Sequence, residues 1–321
     1  MAFANPNVSD IIATTIQSRT RQIADNVTDN NAVLRALSQK GRIKTFSGGN
    51  VILQELSFRD NGNAGYYSGY DLLPVSAQDV ISAAEFTIKQ VAVPVVISGL
   101  EILQNSGKEK MIDLMDARMD VAESSMKNLI ANGIYSDGTG SGGKQITGLG
   151  AAVPVSPTTT YGGIDPSTWA FWANAVVNTS GITASTIQAS WNSLWVQLIR
   201  GNDKPSLILT DNTTYALYLN SLQAQQRFTK ESKAAAGFDS IAYMSADVIL
   251  DGGIEGNCGA NTAYFLNPDY LHWRPHADRN MVPLSPNKRY AVNQDAEVQI
   301  LAFAGNLTTS GRKFQGRWDN N

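Results

Sequence analysis

Apolar residues recur at steps of three and four over Met111, Met115, Met119, Ala122, Met126, Leu129, Ile130 and Ile134, which places them on one side of a helix. Asp113, Asp116, Asp120, Glu123 and Lys127 fall on the other side. Ser106 followed by Glu109 is a capping box that satisfies amides at a helix start. Asn132-Gly133 offers a left-handed cap, and the glycine run from Asp137 to Gly143 forbids continuation. The pattern predicts one amphipathic helix over 106–133, roughly 40 Å long at ~1.5 Å per residue. A helix of that length needs partners along its whole buried stripe.

The period changes to two before that helix. Val51-Ile52-Leu53 with Leu56-Ser57-Phe58 predicts one strand, and the alternation of Ala84-Glu85-Phe86-Thr87-Ile88-Lys89 predicts its return. The connection is long and holds Gly62, Gly65, Tyr66, Tyr67 and Tyr70. Loops of that length in compact domains are uncommon unless they serve a function. Tyrosines set among glycines, with little apolar support, point to a projecting hairpin whose tip lands on a partner, so these five residues are the expected intersubunit contact.

The remaining chain divides around these two features. Residues 1–45 read as an arm: Ile11, Ile12, Ile16 and Ile23 have helical spacing but are interrupted, so the segment has to pack on something else. Pro94–Ser98 is a short apolar strand. From Ser167 to Tyr264 helices and strands alternate: a stripe of Ile187, Trp191, Leu194, Trp195 and Leu198, a buried strand Leu207–Thr210, a helix capped by Asp211, and a strand Val248–Leu250. The tail from Phe265 returns to extended segments, with Ala296–Ile300 alternating as a half-buried strand, and is expected to close the first domain.

Composition narrows the function classes. The 321 residues are 43% hydrophobic and only 17% charged. Together with many Asn, Ser, Thr and Gly residues, this favours surface that meets protein rather than water. The net charge of −3 is uneven. Residues 1–45 carry six basic and three acidic groups, 266–321 carry seven and five, and the middle is left at −8 (12 basic, 20 acidic). These totals are too small for a dedicated nucleic-acid binder. The single cysteine, Cys258, excludes an intrachain disulfide and a multi-thiolate metal site. No apolar run approaches ~18 residues and no signal-peptide pattern opens the chain, so a cytoplasmic product with no membrane partner is expected.

Candidate chemistry is thin. Gly138 to Lys144 matches most of the phosphate-binding pattern G-x-x-x-x-G-K, but a helix precedes it, none follows, and Gln145 stands where Ser or Thr would hold magnesium. His272 and His276 are four apart, yet Pro275 breaks the helix that would aim both at one metal. No nucleophile elbow or paired carboxylates occur, so no catalytic, cofactor or metal residue is expected and the chain is read as a non-enzyme.

The order of parts carries more than any one motif. Ala84-Glu85-Phe86 through Val96-Ile97-Ser98 leads into the long helix. Asp137-Gly138-Thr139-Gly140 is followed by Gly148-Leu149-Gly150, then Gly237-Phe238, Asp251, Tyr264-Phe265-Leu266-Asn267, and finally Gly305-Asn306-Leu307 to Gln315-Gly316. From Leu34 to Trp318 this order resembles the major capsid protein of tailed bacteriophages with the Hong Kong 97-like shell fold. The fold class implied is α+β, with an N-terminal arm (1–45), an extended loop hairpin (46–95), a peripheral domain with a long spine helix (96–150), an inserted axial α/β domain (151–265), and return strands of the peripheral domain (266–321). The resemblance implies a self-assembling subunit of a virion capsid, built in the host bacterial cytoplasm as hexamers and pentamers around packaged DNA. A separate scaffolding protein and portal are implied partners, and a cement protein is left open. Arg19, Arg21 and Arg35 are the residues it would turn toward DNA. Members that weld neighbours use a lysine on the extended loop; residues 46–88 contain none, so no such cross-link is expected. The alternatives are an encapsulin-like compartment shell, a tail or adhesion component, and a nucleotide-hydrolysing enzyme using Gly138–Lys144.

Overall fold

The structure is a computed structural model that describes residues 31–104, 114–222, 240–251, 256–284, 289–290 and 295–321. The expectations on the arm through residue 30, including Arg19 and Arg21, on the Ser106/Glu109 cap, on Met111 and on Gly237-Phe238 lie outside the described residues.

The chain starts with helix α1 (Ala32–Gln39), where the Asn31 side chain accepts from the Val33 and Leu34 amides. Strands β1 (Val51–Ser57) and β2 (Ile81–Thr87) form an antiparallel ladder pairing Val51 with Thr87 through Ser57 with Ile81. Next come β3 (Lys89–Ser98), α2 (Gly99–Gln104) and α3 (Leu114–Tyr135). The middle of the chain contributes β4 (Ala175–Thr179), α4 (Ile187–Leu198), β5 (Leu207–Thr210), α5 (Asn212–Ser221), β6 (Ser240–Tyr243), β7 (Ala246–Leu250) and β8 (Thr262–Leu266). The tail adds β9 (Leu271–Pro275), β10 (Val282–Pro283), β11 (Arg289–Tyr290), β12 (Ala296–Thr309) and β13 (Gly316–Asn320).

A five-stranded antiparallel sheet is organised on β12. Its first ten residues pair with β3, from Ala296 against Ser98 to Gly305 against Lys89, and its last five pair with β9. β10 and β11 lie on its other side. β3 is longer than the expected Pro94–Ser98, and Pro94 is tolerated because among the described residues β3 has a strand partner on one side only. Along β3, Val95 and Ile97 are buried with Val91 and Val93 half-buried, while Ala92, Pro94 and Val96 point outward, which is the period-two rule.

α3 packs on this sheet through Ala122, Met126, Ile130 and Ile134, all buried. Two expectations are corrected here. Leu129 is 50% exposed, because the buried stripe steps by four and leaves position 129 on its flank. The helix also runs past Gly133 to Tyr135, since burying Ile134 and Tyr135 outweighs the glycine's preference for a cap. Gly133 instead lets Ile146 approach: a Cβ there would sit 3.0 Å from the Ile146 side chain. The first left-handed residue after the helix is Gly138, and the chain folds back so closely that a Cβ on Gly148 would lie 2.1 Å from the Ile134 carbonyl oxygen.

The second sheet is six-stranded, in the order β4-β13-β8-β5-β7-β6, with β4–β13 and β5–β7 parallel. Its core is aromatic. Trp191 of α4 stacks on Tyr218 of α5 at 4.7 Å between centroids and takes edge contacts from Tyr243 and Phe265 at 5.2 and 5.3 Å. Asp211 caps α5 by accepting from Thr213 and Thr214. The expectation that all of 266–321 would return to the first sheet is corrected at its end, since β13 inserts between β4 and β8. Trp318 there is fully buried and donates to Ser190 Oγ at 2.7 Å. The apolar area of one tryptophan outweighs any local preference of so short a strand.

Polar side chains, two of them fully buried, tie segments distant in sequence to one another. Asn306 is fully buried in β12; its carboxamide donates to the Thr87 carbonyl at 2.9 Å and accepts from the Thr147 amide at 3.0 Å. Arg312 is also fully buried, donating to the Ala152 and Thr159 carbonyls at 2.8 Å each and lying over Tyr161, and burial lowers its guanidinium to about 10. At the end of α3, Tyr135 donates to Asp251, which follows β7. Substituting Asn306→Ala takes this partner from the part-buried Thr147 amide and Thr87 carbonyl and should lower the unfolding free energy by roughly 1–3 kcal/mol. Urea denaturation of the unassembled chain measures it; a loss below about 0.5 kcal/mol, the size of an ordinary surface substitution, would contradict the role given to this side chain.

Candidate assembly surface

The hairpin is rigid at its base and bare at its tip. Phe86 of β2 meets Tyr161 edge-on at 5.1 Å, and Phe58 meets Trp169 at 5.5 Å. The Glu85 amide donates to the Gly162 carbonyl at 3.0 Å, an approach that suits a glycine at φ 60°, since a Cβ there would meet Ala84 at 3.0 Å. Beyond the ladder the two arms stay joined through the Phe58 amide on the Val80 carbonyl (3.1 Å), Arg59 Nε on the Asp79 carbonyl (2.6 Å), and Ser76 Oγ on Asn63 Oδ1 (2.9 Å). Past Asn63 and Ser76, residues 64–75 carry a small turn in which the Ser68 amide donates to Asp71.

That tip displays Tyr66, Tyr70, Leu72 and Val75 almost wholly to solvent, with Tyr67 and Leu73 more than half exposed. Scattered surface apolar groups are ordinary; a run of six on one loop marks a contact surface. Of the sequence-predicted residues, Gly65, Tyr66, Tyr67 and Tyr70 come together at the tip. Gly62 sits in the neck, where a Cβ would meet Gln78 at 3.1 Å. Leu72, Leu73 and Val75 were not singled out from sequence, although a non-periodic apolar run inside a polar loop was there to be read. Arg35 lies half-buried on α1, distant in sequence from the hairpin.

Two further surfaces carry exposed groups among the described residues. On the outer side of the five-stranded sheet, Ala92, Pro94 and Val96 are cross-strand partners of Ala302, Ile300 and Val298, and Val96 is 46% exposed. Residues 145–199, which include β4 and α4 of the second sheet's layer, carry one formal charge, Asp165. The outward side of α4 in that stretch presents Asn192, Ser193 and the 70% exposed Val196.

The other sequence candidates resolve in place. Residues 138–144 leave a helix rather than a strand, and the turn faces its amides inward: Gly143 donates to the Thr139 carbonyl at 3.0 Å and Gln145 to Gly140 at 3.3 Å. Lys144 is exposed at its end. The geometry therefore lacks the strand-to-helix cradle that a nucleotide phosphate needs. His272 is buried on β9, and His276 follows the strand, accepting from the Asp278 amide and packing edge-on against Phe46. Cys258 is buried, and burial pushes its thiol up. Among the described residues no group of three His, Cys, Asp or Glu side chains could hold a metal ion, and no helix is long and apolar enough to cross a membrane.

No family model and no curated protein sequence matches the chain. Solved structures do. The capsid asymmetric unit of cyanophage A-1(L) superposes with a TM-score of 0.72 at 16% identity, over 94% of this chain and 96% of that one. The capsid of an empty GTA particle gives 0.63 at 14% identity, covering 94% of each chain. The holo-SrpI encapsulin complex of Synechococcus elongatus PCC 7942 gives 0.54 at 8% identity, over 98% of this chain and 95% of that one. The chain is α+β and has the fold of phage capsid proteins.

The buried His272 also sets a pH response. Burial and the neighbouring Lys44, Arg42 and Arg274 charges hold its imidazole down at about 4, against 6.5 when free. Between those values the unfolded chain binds the proton and the folded chain does not, so the stabilisation is complete above pH 6.5 and is lost as pH falls toward 4. This one group should contribute up to about 1.4 kcal/mol per pH unit in that window. Urea titrations from pH 4 to 7 on the wild type and His272→Gln should show a flatter profile for the variant; parallel profiles would contradict the assignment.

Proposed function

We propose that the chain is the major capsid protein of a tailed bacteriophage, self-assembling into an icosahedral head shell that encloses double-stranded DNA. The observation that carries the reading is the hairpin: an apolar tip held away from the body by a base locked to residues 161–171, in a chain with the capsid fold. An isolated subunit has no use for six exposed apolar side chains on a braced lever; a neighbour in a lattice does.

On this reading residues 46–95 are the extended loop, 96–150 with the return strands the peripheral part, and 151–265 joined by β13 the axial part. Rings of five and six require two different faces per subunit that close on each other. The hairpin tip is one, and the outer face of the five-stranded sheet has the apolar character of a complementary one. Charges on identical copies confront each other around a rotation axis, so the nearly neutral 145–199 surface suits the axial position. Scaffolding and portal proteins are the partners such a shell needs to assemble and fill. With no lysine in 46–88, contacts between neighbours are apolar and hydrogen-bonded rather than covalent. A protein-enclosing compartment shell is the second reading, favoured by the encapsulin that shares the fold; its particles would carry protein cargo and no DNA.

The triple variant Tyr66→Ser/Tyr70→Ser/Leu72→Ser should no longer form particles under electron microscopy. Because all three side chains are exposed, its unfolding free energy should stay within about 0.5 kcal/mol of the parent. Normal particles from the variant would remove the hairpin from the assembly mechanism.

A further inference from the structure

We infer that Lys40, Arg42, Lys44 and Arg274 form a phosphate-binding stripe that takes the backbone of duplex DNA. This rests on the shell reading above and gives the DNA contact an address other than Arg19, Arg21 and Arg35.

The stripe is made by a strand pairing rather than by a run of sequence. After α1 the chain turns and lies parallel to β9. The Trp273 amide donates to the Arg42 carbonyl at 3.1 Å, the Lys44 amide donates to the Trp273 carbonyl at 2.9 Å, and Ile43 is the bridge partner of Trp273. Residues paired across a ladder share a face and their sequence neighbours take the opposite one. Trp273 is buried in the core, so Arg42 and Lys44 share the other face with His272 and Arg274. Segments far apart in sequence thereby place three cations side by side, and Lys40 joins them at the turn.

Few counter-charges oppose them. Asp269 accepts from Lys40 Nζ at 3.0 Å and from Arg42 Nη2 at 3.3 Å, and is itself 45% exposed. Four cations less one carboxylate leave +3 on a chain whose total is −3. His272, whose imidazole is held down by burial first, is lowered further by the charges of Lys44, Arg42 and Arg274 beside it. Arg274 Nη2 donates to the Leu53 carbonyl at 3.3 Å, and a guanidinium has five N–H donors, more than this one contact uses. Lys44 is exposed, and the Lys40 and Arg42 side chains are each about one-third exposed. A diester phosphate brings a negative charge and acceptor oxygens to such a surface without any base-specific contact.

The test uses the purified full chain and a fluorescent duplex DNA of about 30 base pairs, read by anisotropy across a salt series, with electron microscopy of the same preparations. Three effective charges predict a slope of log affinity against log salt of about −3. Lys40→Gln/Lys44→Gln leaves +1 on the stripe, so its slope should fall to about −1 while particles still form. An unchanged slope in the variant overturns the inference. So does a parent chain that forms shells but binds DNA without salt dependence, and so does a variant that stops assembling yet binds DNA as before, since the stripe would then serve a protein contact. Loss of particles in the parent itself would instead strike the shell reading, which the microscopy reports separately.

Discussion

The structure depends on the pairing of one long strand. β12 has fourteen residues and two sets of neighbours, and its changeover at Gly305 and Asn306 is where the parts of the molecule meet. Before it, β3 is held under α3; after it, β9 is held beside α1 and the 42–46 segment. A Cβ on Gly305 would lie 2.7 Å from the Arg274 carbonyl oxygen, so the changeover needs a residue without one. Asn306, itself fully buried, then satisfies backbone groups from two other segments. Loss of that joint would free the hairpin base, the end of α3 and the start of the insertion together.

Rigidity at the joint gives the hairpin its meaning. A lever transmits position only if its root is fixed, and the root here is fixed by aromatic contacts to 161–171 and by the ladder itself. What projects is apolar, residues 145–199 carry a single charge, and four cations are brought together by the 40–44 segment and β9. Such a distribution is costly for a solitary soluble protein and natural for a subunit whose surfaces face copies of itself on several sides.

Much of this was legible in the sequence where a period ran long enough to be counted. The hairpin ladder, the stripe Ile187, Trp191, Leu194, Trp195 and Leu198, and the Asp211 cap are local patterns with local causes and all are present in the structure, although the return strand runs over Ile81–Thr87 rather than Ala84–Lys89. Leu129 and the end of α3 departed because a helix's buried arc and its stop are decided by what lies across from it, here Ile146 and the sheet. The course of β13 was illegible for the same reason: Gly316–Asn320 has no distinctive pattern, and only the gap between β4 and β8, filled by Trp318, gives it a place. The basic stripe is divided between residues 40–44 and 274, and no spacing rule connects them before the parallel pairing does. The tip was read through its tyrosines while Leu72, Leu73 and Val75 passed unremarked, because exposure is a property of the folded loop.

The central claim is that this chain is built to assemble with itself. Electron cryomicroscopy of the purified protein over a concentration series tests it most directly. The account expects closed shells or curved sheets of five- and six-membered rings, with residues 64–75 of each subunit in density against a neighbour. A small, monodisperse particle at every concentration would contradict it.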